Sequence, residues 1–168
     1  MPINVANLKL FLSGGAANSD PNASLGGAKS TTEITNASLH NLFDIVGSAE
    51  AAAGDVEYRA FYVQNDDALT WQSVVAFIQQ ITPSADTSVA ISIATEGNSA
   101  TIQTIADEST APVGQTFTSP TTEGTGLSIG NLANGEFIGI WVEWTVNAAA
   151  AAANADNVII RFKGDTPA

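Results

Sequence analysis

The stretch Thr87–Thr95 reads TSVAISIAT, and its alternation decides the fold. Val89, Ile91 and Ile93 fall on one side; Ser88, Ala90, Ser92 and Ala94 fall on the other. Successive side chains of a strand point to opposite faces, so a period of two predicts a strand half-buried against a core. The same spacing recurs at both ends of the chain. Asp156–Lys163 turns Val158, Ile160 and Phe162 inward and leaves Asn157, Arg161, Lys163 and the less polar Ile159 outward. Near the start, Leu8, Leu10 and Leu12 alternate with Lys9 and Phe11.

Three further runs are longer and more apolar: Val56–Gln64 (VEYRAFYVQ), Trp71–Ile81 (WQSVVAFIQQI) and Glu136–Asn147 (EFIGIWVEWTVN). Their β-branched and aromatic content suits strands. In the last, Ile138, Ile140, Val142, Trp144 and Val146 line one face, and Phe137, Gly139, Trp141, Glu143 and Thr145 the other. All six prolines lie outside these runs, as expected of residues that cannot donate to a ladder. Turn sequences such as Asn65-Asp66-Asp67 and Glu96-Gly97-Asn98 separate neighbours. Shorter strands are expected near Thr31–Thr35, Thr101–Ile105 and Gly126–Ile129. Eight or nine strands at this spacing predict an all-β fold, an antiparallel β-sandwich of jelly-roll or immunoglobulin-like type, spanning residues 1–168 as one domain.

Three segments carry more than one reading. Leu39, Leu42, Phe43 and Val46 have helical spacing between Ser38 and Gly47, which fits a capped two-turn helix. They also fit an irregular edge strand, which the Thr-rich surroundings favour. Ala148–Ala153 is a run of six alanines, too short to nucleate a helix alone, and reads as a hairpin connection or one short turn. Residues 13–30, SGGAANSDPNASLGGAKS, form a Gly/Ala/Ser-rich loop or arm, either disordered or ordered against a neighbouring subunit.

Composition narrows the function classes. The chain has 168 residues, no Cys, one His (His40), five basic residues and 17 acidic ones, giving a net charge of −12. It is 45% hydrophobic, too apolar for an acidic disordered chain. Domains of this size bury roughly 70% of the surface of the unfolded chain, so no disulfide or metal is needed to fold. Nucleic-acid binding gains most of its affinity from Lys and Arg on phosphates, which five scattered basic residues do not provide. The acidity reads as solubility, as attraction to a basic partner, or as self-repulsion that deters aggregation. No run approaches the ~18 apolar residues of a membrane span, and Met1–Asn4 lacks the basic start of a secretory signal. A soluble protein made in a cytoplasm, with no membrane partner, is expected.

No candidate site is built as a catalyst. A nucleophile needs a neighbouring base, usually His, and His40 in SLHNLF has neither a G-x-S-x-G elbow nor a second zinc ligand to accompany it. The pairs Asp66/Asp67 and Asp107/Glu108 could serve a glycosidase or a calcium loop. Both lie in turn sequence, where such side chains usually bond their own backbone. Trp71, Trp141 and Trp144 could stack on sugars, Trp141 being on the less apolar face of its strand. They equally suit core or subunit-interface anchors. No catalytic, metal or cofactor-binding residue is therefore assigned, and no enzyme activity is expected.

The runs NLFDIVGSAEAAAGDVEYRAFYVQN (Asn41–Asn65), KLFLSGGAANSDPNASLGGAKS (Lys9–Ser30), TPSADTSVAISIATEG (Thr82–Gly97) and GEFIGIWVEWTVNA (Gly135–Ala148) together resemble small virion structural proteins of tailed bacteriophages and prophages. The likeness is one of texture and short phrases over most of the chain. It implies a β-sandwich that assembles on the virion as a homo-oligomer. The nearest role is a capsid decoration (cement) protein that binds the major capsid protein and strengthens the head. A tail or baseplate component, or a carbohydrate-binding module, is the alternative. Such a protein is made in the host cytoplasm and ends on the virion.

Overall fold

The computed structural model describes residues 2–153 and 156–167. Its longest ladder joins strands β3 (Asp55–Asn65) and β8 (Phe137–Val146), which pair antiparallel from Asp55 opposite Val146 to Gln64 opposite Phe137. Strand β1 (Leu8–Leu12) adds to the free side of β3, and β5 (Thr87–Ile93) to the free side of β8. The result is a four-stranded sheet in the order β1-β3-β8-β5. A three-stranded sheet, β7-β4-β9, is built from β4 (Trp71–Gln80), β7 (Leu127–Leu132) and β9 (Ile159–Asp165). A short pair joins β2 (Gly26–Gly27) to β6 (Ile102–Thr104). The protein is all-β, with antiparallel sheets arranged as a sandwich.

The alternation seen in sequence is the alternation of burial. Phe61 and Val63 of β3, Ile138, Ile140 and Val142 of β8, and Val89 and Ile91 of β5 face the three-stranded sheet. They meet Trp71, Val74, Ala76 and Ile78 of β4 and Leu132 of β7 in one core. Val158, Ile160 and Phe162 pack on the same core, while Ile159, Arg161 and Lys163 are exposed.

The opposite face of the four-stranded sheet is buried as well. Tyr58, Ala60 and Tyr62 of β3 and Trp141 of β8 join Ala94, Ile102 and Ile105 in a second core. The cover is the β2–β6 pair and residues 13–30. Within this chain that Gly-rich segment is tied down by named bonds. Ser13 Oγ donates to the Ala60 carbonyl (2.8 Å), the Ala60 N–H donates to the Ser24 carbonyl (2.8 Å), and Tyr62 Oη donates to Gly27 O (2.5 Å). Gly26 has φ +86°, and a Cβ built there would lie 2.0 Å from Gln103 O and 2.9 Å from the Trp141 ring. Gly139 is also required, since a Cβ would lie 2.6 Å from Ile102 Cγ2.

Three local expectations need correction. Residues 39–46 form neither the favoured edge strand nor a helix. They run as turns and bends, with φ near +59° at Ala37 and +54° at His40. Leu42 and Phe43 turn inward, and the Phe43 ring lies 5.7 Å from Trp144. The helix comes just afterwards, as α1 (Ser48–Ala53), begun by Glu50 accepting from the Gly47 N–H. Thr31–Thr35 reduces to a single bridge between Glu33 and Phe11. It nonetheless bonds along β1, through Leu12 N to Thr32 O (3.0 Å) and Ile34 N to Leu10 O (2.8 Å). Ala148–Ala153 does not connect a hairpin, because β8 and β9 belong to different sheets. It turns at Ala148–Ala149, and the Ala150 N–H bonds to Ala51 O of α1 (2.9 Å).

The glycine geometry gives a paired test. Gly26→Ala meets both a positive φ and a backbone oxygen, whereas Gly15→Ala meets a positive φ (+102°) with open space around it. The Gly15 variant should lose about 1 kcal/mol, the ordinary cost of a left-handed alanine. The Gly26 variant should lose clearly more, about 3 kcal/mol or above, because the backbone must move. Urea denaturation midpoints of the two variants check the order.

Candidate functional site

The polar feature of the fold that calls for explanation lies at one end of the sandwich. Glu57 and Arg59 alternate in phase with Phe61 and Val63, so β3 carries them onto the face that opposes the second sheet. Arg59 is 0% exposed. Its Nη2 lies 3.6 Å from Glu57 Oε2 and pairs with Glu108, and its Nη1 donates to the Tyr58 carbonyl (3.3 Å). The Phe43 ring lies over the guanidinium, 5.7 Å from Cζ to centroid. Residues 39–46 thus close this end of the core like a plug.

Glu57 is nearly as deeply placed. Burial pushes its carboxyl up from 4.5 to about 7, opposed by the Arg59 charge and reinforced by Glu108, Asp44 and Asp55. Oxygens of Glu50, Asp55 and Glu57 lie within 4.8 Å of one another, the one such trio among the described residues. Two of the three carboxylates are already engaged, Glu50 with the Gly47 N–H and Asp55 with the Val56 N–H (2.8 Å). The nearby positive charge is Arg59, whose guanidinium already occupies the counter-ion role that a cation would take. The chemistry here is charge neutralisation inside the fold. Sequence reasoning passed over this group. The available signal was Glu57 and Arg59 at a spacing of two on the apolar face of a strand.

The residues weighed from sequence are scattered. His40 is exposed on the plug. Asp67 accepts from the Asn4 N–H (3.0 Å), the Leu69 N–H (3.0 Å) and Asn7 Nδ2 (3.0 Å), bonds that hold its carboxyl below the usual aspartate value of 3.8. It locks the N-terminal segment to the β3–β4 turn. Asp66 accepts from Gln64. Asp107 accepts from the hydroxyls of Thr110 (2.7 Å) and Ser109 (2.9 Å), which likewise lower its pKa. Glu108 serves Arg59. These carboxylates therefore do the work of turn formation and charge pairing.

The tryptophans also turn inward. Trp141, the candidate sugar platform, is 0% exposed beneath Gly26, and Trp71 is buried in the main core. Trp144 is half-buried against Phe43. The strand face of Trp141 looked less apolar because its cover comes from distant sequence. Two shallow hollows mark the surface, one lined by Ile78, Ile81, Val89 and Ser119 and the other by Gly14, Gly15, Leu25 and Ile105. Neither holds a titratable side chain. Among the described residues, no helix is long and apolar enough to cross a membrane. Compared with known proteins, the chain matches no family model, no curated protein and no solved structure.

The buried carboxyl sets a pH signature. Folded Glu57 holds its proton up to about pH 7, whereas the unfolded chain releases it near 4.5. Between those values the folded state binds more protons, so this contribution is full below about pH 4.5 and is lost as pH rises through 7. Asp67 and Asp107 act oppositely, adding stability above 3.8 that disappears as pH falls through their lower folded values. Thermal melts should therefore peak on the acidic side of neutrality, and Glu57→Gln should flatten the decline between about pH 5 and 7. Arg59→Met leaves Glu57 without its cation. Near pH 8 it should cost about 3–5 kcal/mol, the usual penalty of breaking a buried pair, and markedly less near pH 5, where Glu57 is protonated. Urea unfolding at the two pH values checks this.

Proposed function

We propose that the protein is a non-enzymatic structural component that works by adhesion, and that its site of action is the virion of a tailed phage. The observation that carries the adhesive reading is that three of the seven large apolar side chains left exposed among the described residues fall on one short segment. Leu39 (81% exposed), Ile45 (73%) and Val46 all belong to the plug, beside the acidic residues Asp44 and Glu50. The carboxylates weighed for catalysis are engaged in turns and ion pairs, and the lone histidine stands on a loop. What the surface offers is area and charge.

The virion assignment draws on the resemblance of the strand and loop texts to small phage structural proteins. In that reading the protein is a head decoration protein, docked on the major capsid protein and on copies of itself. The sandwich suits this role because its rigidity comes from two cores and needs no disulfide or metal. Its acidity, with two of five cations on one strand and none forming a patch, suits a position away from packaged DNA. The alternative of a carbohydrate-binding module has lost its most specific residue, since Trp141 is buried.

Copy number on the particle tests the proposal. Quantitative mass spectrometry of purified particles, with labelling of the protein in electron micrographs, should find it in high copy on the head. Its absence from particles, or a few copies at the tail tip, would overturn the decoration role.

A further inference from the structure

Exposed positive charge is concentrated on one strand. Of the five basic residues, Arg59 is buried, Lys9 pairs with Glu33 at 3.1 Å, and Lys29 lies 3.9 Å from the centroid of the Phe11 ring. The remaining two, Arg161 and Lys163, share the outer face of β9 with Ile159, which is 44% exposed. Opposite them in register on β4 stand the buried Phe77 and the half-buried Val75. Lys163 pairs with Glu123, but Arg161 donates to the neutral Gln79 Oε1 (3.1 Å) and has no carboxylate partner among the described residues. In a chain of net charge −12, this guanidinium has no internal counter-ion among the described residues. An arginine beside exposed aliphatic surface is a combination that protein interfaces favour.

Strand β9 is also an edge. The edges of the four-stranded sheet are covered, β1 by residues 30–34 and β5 by Thr118, which exchanges two backbone bonds with Ile91 (2.8 and 3.0 Å). Among the described residues no backbone bond of this kind runs along the outer side of β9. Two β9 strands would not pair symmetrically, because Arg161 and Lys163 would confront their own copies. Two plugs would likewise bring Asp44 against Asp44. Unlike surfaces, however, match in sign and polarity. The plug offers Leu39, Ile45 and Asp44; the outer β9 face offers Ile159 and Arg161.

We propose that the plug of one copy docks on the outer β9 face of the next, with Ile45 against Ile159 and Asp44 against Arg161. The contact is head-to-tail, so it repeats from copy to copy unless it closes into a ring. The proposal rests on the adhesive reading above and deepens it by naming both halves of the contact.

Sedimentation velocity on the isolated full chain provides the test. The wild type should self-associate, and more weakly as salt is raised. Arg161→Glu and Asp44→Arg should each weaken association by about tenfold or more, while melting like the wild type. An equimolar mixture of the two should regain association, because the plug of the first variant and the β9 face of the second are intact. Ile45→Ser and Ile159→Ser supply charge-neutral variants with the same expected loss. A monomeric wild type at all concentrations, variants that associate normally, or a mixture that stays dissociated would each overturn the contact. Any of these results leaves the copy number on particles unchanged as a separate measurement.

Discussion

Both faces of the β1-β3-β8-β5 sheet are apolar, and much of the remaining architecture follows from the need to cover the second face. An antiparallel sheet can leave one side to water. Here Trp141, Tyr58 and Tyr62 forbid it. The three-stranded sheet covers one side with side chains. The other is covered by Ile102, Ile105 and Leu25 together with backbone, which Gly26 lets approach the Trp141 ring. Residues 13–30 are therefore as much a part of the core as any strand, although they have almost no regular structure.

The same sheet explains the buried charges. The inward face of β3 starts with Asp55, Glu57 and Arg59 before it reaches Phe61, so charged positions are buried at one end of the sandwich. Phe43 and Glu108 close that end over the guanidinium. The plug consequently turns Leu42 and Phe43 inward and leaves Leu39, Ile45 and Val46 outside. Internal electrostatics and exposed apolar surface are thus connected through one short segment.

What could be read from sequence was chiefly what the period of two encodes. Strands β5, β8 and β9 and their inward residues follow from side-chain alternation, because each meets a facing sheet. Strands β3 and β4 were legible from their apolar, β-branched content, and in β4 the period of two breaks between Trp71 and Val74, where the register shifts and Ser73 has φ +51°. Strand β2 is two glycines and has no side chain to alternate. Helix α1 is six residues of mostly alanine, held by Glu50 and by contact with the alanine run after β8. The fate of Trp141 depended on segments more than thirty residues away in sequence, which no local pattern reports. Arg59 was legible in principle as a cation on an apolar face. Asp107 bonds within its own turn, as its sequence suggests, whereas Asp67 adds long-range bonds to Asn4 and Asn7 and Glu108 pairs with distant Arg59.

The β3–β8 pairing also governs how the chain can fold. It joins Asp55 to Val146 and Gln64 to Phe137, so the central ladder closes loops of more than seventy residues. Loop-closure entropy must be overcome before such contacts stabilise anything. During synthesis, β1 and β3 can form a ribbon early, but neither core exists until β8 has left the ribosome. Until then the apolar faces of β3 and β4 are without their partners, and the nascent chain depends on its negative charge to stay apart from its neighbours.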